Sequence, residues 1–369
     1  MVLGRRTARW AVVAVAAAVA CAVPSVVASL PVSGGPLSAA QLRQRIEASA
    51  GQPYAGYAST QAELGLPDLP AVGDVTKLLS GTTNIRVWYQ APDDNRVDVI
   101  DTVGERDVYQ TPNGQFTWDY GTGLLTEILG DQPVRLPRAG DLLPPDLARR
   151  VLAMDPVDRP VALPARRIAG IATEGLRLRP ADPATTVGQV DIWADPATGL
   201  PLRVEVTAKG AGKPLLTSQF VTVDQGGPDP SALRPPDAGG QLATAQAPDI
   251  VSAIAGFTRA RLPRELVGYR LQPQLPGLPG VGRYGAGLAT FVVLPLPRNI
   301  GSPAIDTATK AGATDVPVPR GHAVLIGIPL LGVLIEQVGF RTYLVAGFVD
   351  HAVLRQAATE LSLRRGRFR

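Results

Sequence analysis

The chain has 369 residues, 45% hydrophobic and 18% charged, which suits two domains with real cores and excludes a disordered protein. Its net charge of +4 belongs to the ends, where Arg5, Arg6, Arg9, Arg364, Arg365, Arg367 and Arg369 lie; the rest holds 29 basic against 32 acidic residues. That excludes a nucleic-acid binder, whose positive charge should sit on the folded surface. Arginine-rich ends suit anionic lipid headgroups, or, for the basic tail 364–369, plain solvation. A lone cysteine, Cys21, excludes a disulfide framework and a thiolate metal site in the body. The 35 prolines and 39 glycines favour short strands and many turns.

Residues 1–35 read as an export segment. A basic leader, "MVLGRRTARW", is followed by the uncharged "AVVAVAAAVACAVPSVVASL" (11–30), the order of a secretory signal. Three fates fit it: cleavage after Ala28, retention as a single membrane anchor, or lipidation at Cys21 within "AVAC". Each places the body outside the cytoplasm, membrane-associated in the last two.

Residues 36–225 form the first unit. "PLSAAQLRQRIEASAG" (36–51) predicts a short amphipathic helix with Ser38 as N-cap and Gly51 as stop. From "YAGYASTQAEL" (54–64) the texture turns to strands: 82–90, 95–103, 106–112, 114–120 and 123–129, joined by turns short enough for an antiparallel meander. "DLLPPDLARRVLAM" (141–154) predicts a helix, and strands resume at 167–180, 187–195, 199–210 and 213–225. Residues of one parity are apolar: Val87 with Tyr89, Val97 with Val99, Trp118 with Tyr120, Ile192, and Val204 with Val206. They predict one large antiparallel sheet with a shared apolar face, helices against it, and an α+β fold. That face is the candidate ligand-binding surface, because an open sheet under short helices can keep a cavity for an acyl chain.

"GGPDPSALRPPDAGGQLATAQAP" (226–248) has no periodicity and reads as the linker. Beyond it, 249–363 reads as a smaller α+β domain, with strands in "LVGYRL", "LATFVVLPL", "HAVLIGIPL" and "RTYLVAGFV". Helices are predicted at 302–312, with Ser302 as cap and Pro303 first, and at 350–362 behind Asp350. "AVLIGIPLLGVLI" (323–335) is too short to span a membrane and reads as two buried strands or a turn.

Motifs for chemistry do not appear: no Gly-x-Ser-x-Gly elbow, metalloprotease helix or Walker loop. Gly280, Gly282 and Gly285 match Gly-x-Gly-x-x-Gly, but no strand precedes them and no helix follows. Asp93 and Asp94 read as turn formers, His322 as a strand-edge residue and His351 as a helix-start residue. The expectation is a protein that is not an enzyme and carries no metal or cofactor.

"VDIWADPATGLPLRVEV" (190–206) is a hairpin in which Asp195 accepts N–H bonds, Pro196 presets φ and Gly199 takes a positive φ. It resembles the hairpin of LolA-like proteins and the related RseB/MucB stress regulators, through Trp193, Asp195, Pro196, Thr198, Gly199, Leu200 and Pro201. "YAGYAS", "RVDVI" and "FTWDY" follow in similar order, so the resemblance spans about 36–225. It implies an incomplete β-barrel wrapped around helices. It also implies an extracytoplasmic binding protein for lipid or lipoprotein acyl chains, as a carrier or an envelope sensor. The alternative it implies is a regulatory protein that holds a membrane-bound anti-sigma factor or transporter, without ligand transport.

Overall fold

The computed structural model describes Gly35 and residues 37–65, 73–101, 104–130, 137–155, 158–237, 242–246, 262–273, 280–296 and 298–363. The export segment and the basic tail lie outside the described residues, apart from Gly35. Among the described residues no helix is long and apolar enough to cross a membrane.

The first helix, α1 (Ala39–Ala48), begins where the sequence places it. The Ser38 hydroxyl accepts from the Gln41 N–H, and the Gln41 side chain accepts from Ser38 N–H, a reciprocal cap. The strands β1 (Tyr54–Ala62), β2 (Thr82–Ala91), β3 (Asp94–Asp101), β4 (Gly104–Thr111), β5 (Gly114–Asp119) and β6 (Leu124–Leu129) then form the meander. A seven-residue helix, α2 (Gly73–Leu79), interrupts it after β1. A 3-10 turn (Ala139–Leu142) leads into α3 (Pro144–Met154), which opens on two prolines, where missing N–H groups cost nothing.

The run 167–180, expected to be a single strand, is two. Ala169 and Gly170 both take positive φ, at 48° and 81°, and fold the chain back between β7 (Val161–Ile168) and β8 (Ile171–Leu178). Then come β9 (Val187–Ala194), β10 (Pro201–Ala208) and β11 (Leu216–Asp224). The stretch 226–248, read as linker, contains β12 (Leu242–Gln246). These twelve strands make one open sheet in the order β12-β6-β5-β4-β3-β2-β1-β11-β10-β9-β8-β7. Its ends do not pair with each other, so the barrel is incomplete and the fold is α+β.

The register carries one face through most of the sheet. Val97 lies opposite Val87, Val87 opposite Gly56, Ser218 opposite Thr60, Val204 opposite Ser218, and Ile192 opposite Val204. Over β7–β11 this face is covered by α1 and α3. Leu42, Ile46, Ala148 and Leu152 pack on Leu176, Ile192 and Val204, all nearly inaccessible. Arg43 crosses between the helices and donates to the Leu152 and Asp155 carbonyls at 3.0 and 2.6 Å, satisfying the open end of α3.

The second unit has a six-stranded sheet of β15 (Gly282–Tyr284), β16 (Phe291–Leu296), β17 (Thr314–Val316), β18 (His322–Gly327), β19 (Gly332–Val338) and β20 (Arg341–Gly347). A small hairpin of β13 (Glu265–Leu266) and β14 (Tyr269–Arg270) precedes it. Helix α4 (Arg298–Lys310) covers one face and α5 (His351–Leu363) the other. The run 323–335 is two strands, β18 and β19. Helix α4 starts earlier than expected, so Ser302 and Pro303 lie inside it rather than at its start.

The two units share a core. Leu288, Ile328 and Leu330 of the second pack into the cluster beneath α1 and α3. Thr185 Oγ1 donates to the carbonyls of Leu288 and Phe348, both at 2.9 Å, and Thr186 Oγ1 to that of Leu330 at 2.6 Å.

Candidate functional site: an open apolar groove

The other half of the inner face is uncovered. Across β2 to β5, Val87, Val97, Val108 and Thr117 form one row, and Ile85, Val99, Arg106 and Asp119 the next. Facing them stand α2, the 3-10 turn and the first turns of α3. The turn is pinned at the middle of the sheet, where the Leu142 carbonyl accepts from Ser218 Oγ at 2.5 Å and from Thr60 Oγ1 at 3.4 Å. That accounts for two fully buried hydroxyls on an apolar face.

The space left is a groove of about 1830 Å³. Val87, Tyr89, Val97, Val99 and Val108 supply apolar lining, and Tyr89 is fixed by donating its hydroxyl to the Ala50 carbonyl at 2.6 Å. The charged groups of the lining nearly balance, five basic against six acidic. Several are paired with each other: Arg149 to Asp146 at 3.0 Å and Arg150 to Asp141 at 2.5 Å. At the end near α3, Tyr54 stacks on Tyr89 with centroids 5.0 Å apart, and burial holds its hydroxyl well above the usual tyrosine range.

Of the nine residues expected on one face, seven lie there, in two environments. Val87, Tyr89, Val97 and Val99 line the groove. Ile192, Val204 and Val206 continue the same face beneath the helices and are packed core. Trp118 and Tyr120 are on the outer side. Trp118 pairs with Asp107, whereas the inward row runs through Thr117 and Val108; Tyr120, beyond the strand end, is 55% exposed. β5 alternates cleanly, but its polar side, Gln115, Thr117 and Asp119, is the one that continues the groove face, because the register with β4 and not the hydrophobicity of the strand sets which side is inward.

The outer side holds a polar network that the alternation did not announce. Arg96 donates to Asp98 at 2.7 Å and Asp107 at 2.8 Å, and its guanidinium lies over the Trp88 and Tyr109 rings at 4.6 and 5.0 Å. Burial, with Asp107 beside it, pushes Asp98 up to about 7, while Arg96 opposes the rise. Asp98, Glu105 and Asp107 each bring a carboxylate oxygen within 4.8 Å of the others, a spacing a metal ion accepts, but Arg96 already supplies the cation there.

The family-like hairpin is a clamp on α1. Asp195 accepts from Ala197 N–H at 2.8 Å and from Gln225 Nε2 at 2.8 Å; Thr198 donates to Gln225 at 2.8 Å. Gly199, at φ +75°, lies against the Arg45 carbonyl, and Arg45 donates to the Pro196 carbonyl. Leu200 is buried, and Pro201 starts β10. Trp193 faces outward yet is buried, because Gly175 beside it has no side chain: a Cβ there would stand 2.6 Å from the indole nitrogen. The indole donates to the Pro164 carbonyl at 3.1 Å, and Arg166 stacks on it at 4.0 Å. The motif holds the scaffold and does not line the groove.

Neither histidine lines the groove: His322 meets Asp315 at 2.9 Å, and His351 starts α5 against Gly327 and Gly332. Gly280 and Gly285 take positive φ around β15, which is turn geometry leading to another strand.

No family model matches the chain, and no curated protein matches it. Solved structures do. The chain is similar to MucB and to LolA-superfamily proteins. In the complex structure of Pseudomonas aeruginosa MucA/MucB, the matching chain is 18% identical, with 87% of this chain and 96% of that one covered, at a TM-score of 0.48. A putative outer membrane lipoprotein-sorting protein domain from Vibrio parahaemolyticus is 13% identical over 53% of this chain and 96% of that one, TM-score 0.24. A LolA superfamily protein from Nitrosomonas europaea is 12% identical over 54% and 98%, TM-score 0.24.

Proposed function

We propose that this is an exported, membrane-associated binding protein that captures a hydrophobic ligand, a lipid or lipoprotein acyl chain, in the groove. One observation carries the reading: the inner apolar face continues from packed core into a half where α2, the 3-10 turn and the first turns of α3 stand across a groove instead of packing on the sheet. Natural sheets rarely leave such a face bare without an occupant. Each methylene buried there contributes about 0.8 kcal/mol, so about ten offset most of the cost of association without any polar motif. The near-balanced charges of the lining favour a neutral or zwitterionic head over a strongly charged one.

Export is part of the proposal and rests on residues 1–28. A reporter fused after Gly35 should be active only outside the cytoplasm; cytoplasmic activity alone would end that part. Ligand capture is tested by incubating the purified protein with phosphatidylethanolamine–phosphatidylglycerol vesicles, removing them, and extracting lipid from the protein. Stoichiometric acyl lipid supports capture. A lipid-free protein would instead favour the regulatory reading, in which the protein holds an anti-sigma factor or transporter.

A further inference from the structure

The aromatic run of β5 and the last strand of the sheet have no part in the groove. β12 lies parallel on β6, Leu242 beside Leu125 through Gln246 beside Leu129. It buries no side chain: Leu242, Thr244 and Gln246 are exposed, and Ala243 and Ala245 half-buried. Its hold on β6 is the backbone ladder, so this end of the sheet accepts a short extended segment on main-chain bonds.

The two ends of the sheet differ in how they are guarded. β7 carries Pro164, Arg166, Arg167 and a register shift between Leu163 and Arg166, devices that keep an edge from pairing. β12 is Leu-Ala-Thr-Ala-Gln, with no charge, proline or register shift. Beside it, on the outer face, Trp118 lies opposite Leu125 and Leu125 opposite Leu242, and Tyr120 stands edge-on to Trp118 at 5.9 Å. Tyr120, Leu129 and Leu242 are 55%, 40% and 52% exposed, at the same end of the sheet. Glu127 stands opposite Thr244, whose short side chain leaves its carboxylate within reach of a long basic residue on a further strand.

We propose that the outer edge of β12, with Trp118, Tyr120, Leu129 and Leu242 beside it, is a strand-addition surface for an extended segment of a partner protein. That segment is apolar at alternate positions and basic opposite Thr244. The edge, unpaired among the described residues, supplies main-chain bonds, the exposed apolar row selects the outward-facing residues, and Glu127 fixes the register through charge. Trp118, Tyr120 and Leu242 are not among the groove-lining residues, whereas Glu127 and Leu129 stand where the groove and this surface meet.

The test uses the full chain and the palindromic peptide acetyl-Val-Thr-Val-Thr-Lys-Thr-Val-Thr-Val-amide, read by hydrogen exchange. Amides of 242–246 should gain protection while those of β2 and β3 are unchanged. Leu242→Lys should abolish the protection, and Glu127→Lys should weaken binding about threefold, recovered when the peptide lysine is replaced by glutamate. Both positions are outside the core, and an unchanged thermal midpoint checks that the variants fold. No protection at 242–246, or protection indifferent to both variants, overturns the proposal. A concentration-dependent dimer of the free chain that Leu242→Lys abolishes would assign the edge to a second copy and overturn the partner assignment.

Discussion

Gly199 shows how much one backbone angle decides. Its φ of +75° and the Arg45 carbonyl against it leave no room for a Cβ. Gly199→Ala should therefore destabilise the protein by about 1–3 kcal/mol, measured by denaturant unfolding, by prising the hairpin off α1. Glu336 makes a different prediction. It is fully buried in the second core with neither carboxylate oxygen hydrogen-bonded in the structure, and burial raises it from 4.5 to about 8. A raised carboxyl favours the protonated folded chain, so its contribution is fully present below the unfolded value and lost as pH rises through about 8. Glu336→Gln should raise the thermal midpoint by several degrees at about pH 9 and change it little at about pH 4. An equal shift at both would mean that packing, not ionisation, is responsible. Gly199 was legible in the sequence, because Asp-Pro-Ala-Thr-Gly demands a positive φ. Glu336 was not: it lies in an ordinary alternation, and only the packing of α5 shows that its side of β19 is closed.

Elements with strong local signals were readable, and those defined by partners were not. The Ser38-capped helix, the meander and the hairpin at 195–199 follow from capping, alternation and turn chemistry. The turn at Ala169–Gly170 was hidden because alanine at positive φ is not a turn signal. β12 was hidden because five residues without alternation become a strand only through the ladder β6 offers. The inner face splits at the same level. Val206 is 8% exposed beneath the helices, whereas Val99 lines the groove. Val206→Arg should bury an unpaired charge and destabilise the fold by several kcal/mol, about 3–5 by analogy with broken buried pairs. Val99→Arg should leave the thermal midpoint within a few degrees, since its long stem can carry the charge to water. Unfolding of both would show the open half to be core after all.

At the scale of the whole molecule, the boundary drawn at 226–248 and the contacts made at 184–187 act in opposite senses. The connection between β11 and β13 leaves an interior strand of the large sheet, supplies β12 at the sheet's end and leads to the second unit, and limited proteolysis should cut there first. The nicked halves should nonetheless co-elute on gel filtration, because Leu288, Ile328 and Leu330 sit in the first unit's core. Separation of the halves after one cut would contradict a shared core. That shared core closes the packed half of the barrel and leaves the β2–β5 half open. The most direct measurement is native mass spectrometry of the protein and its Val99→Arg variant after the same vesicle exposure. Capture in the groove should give acyl-lipid adducts on the parent protein and none on a folded variant; equal adducts on both, or none on either, would contradict capture there.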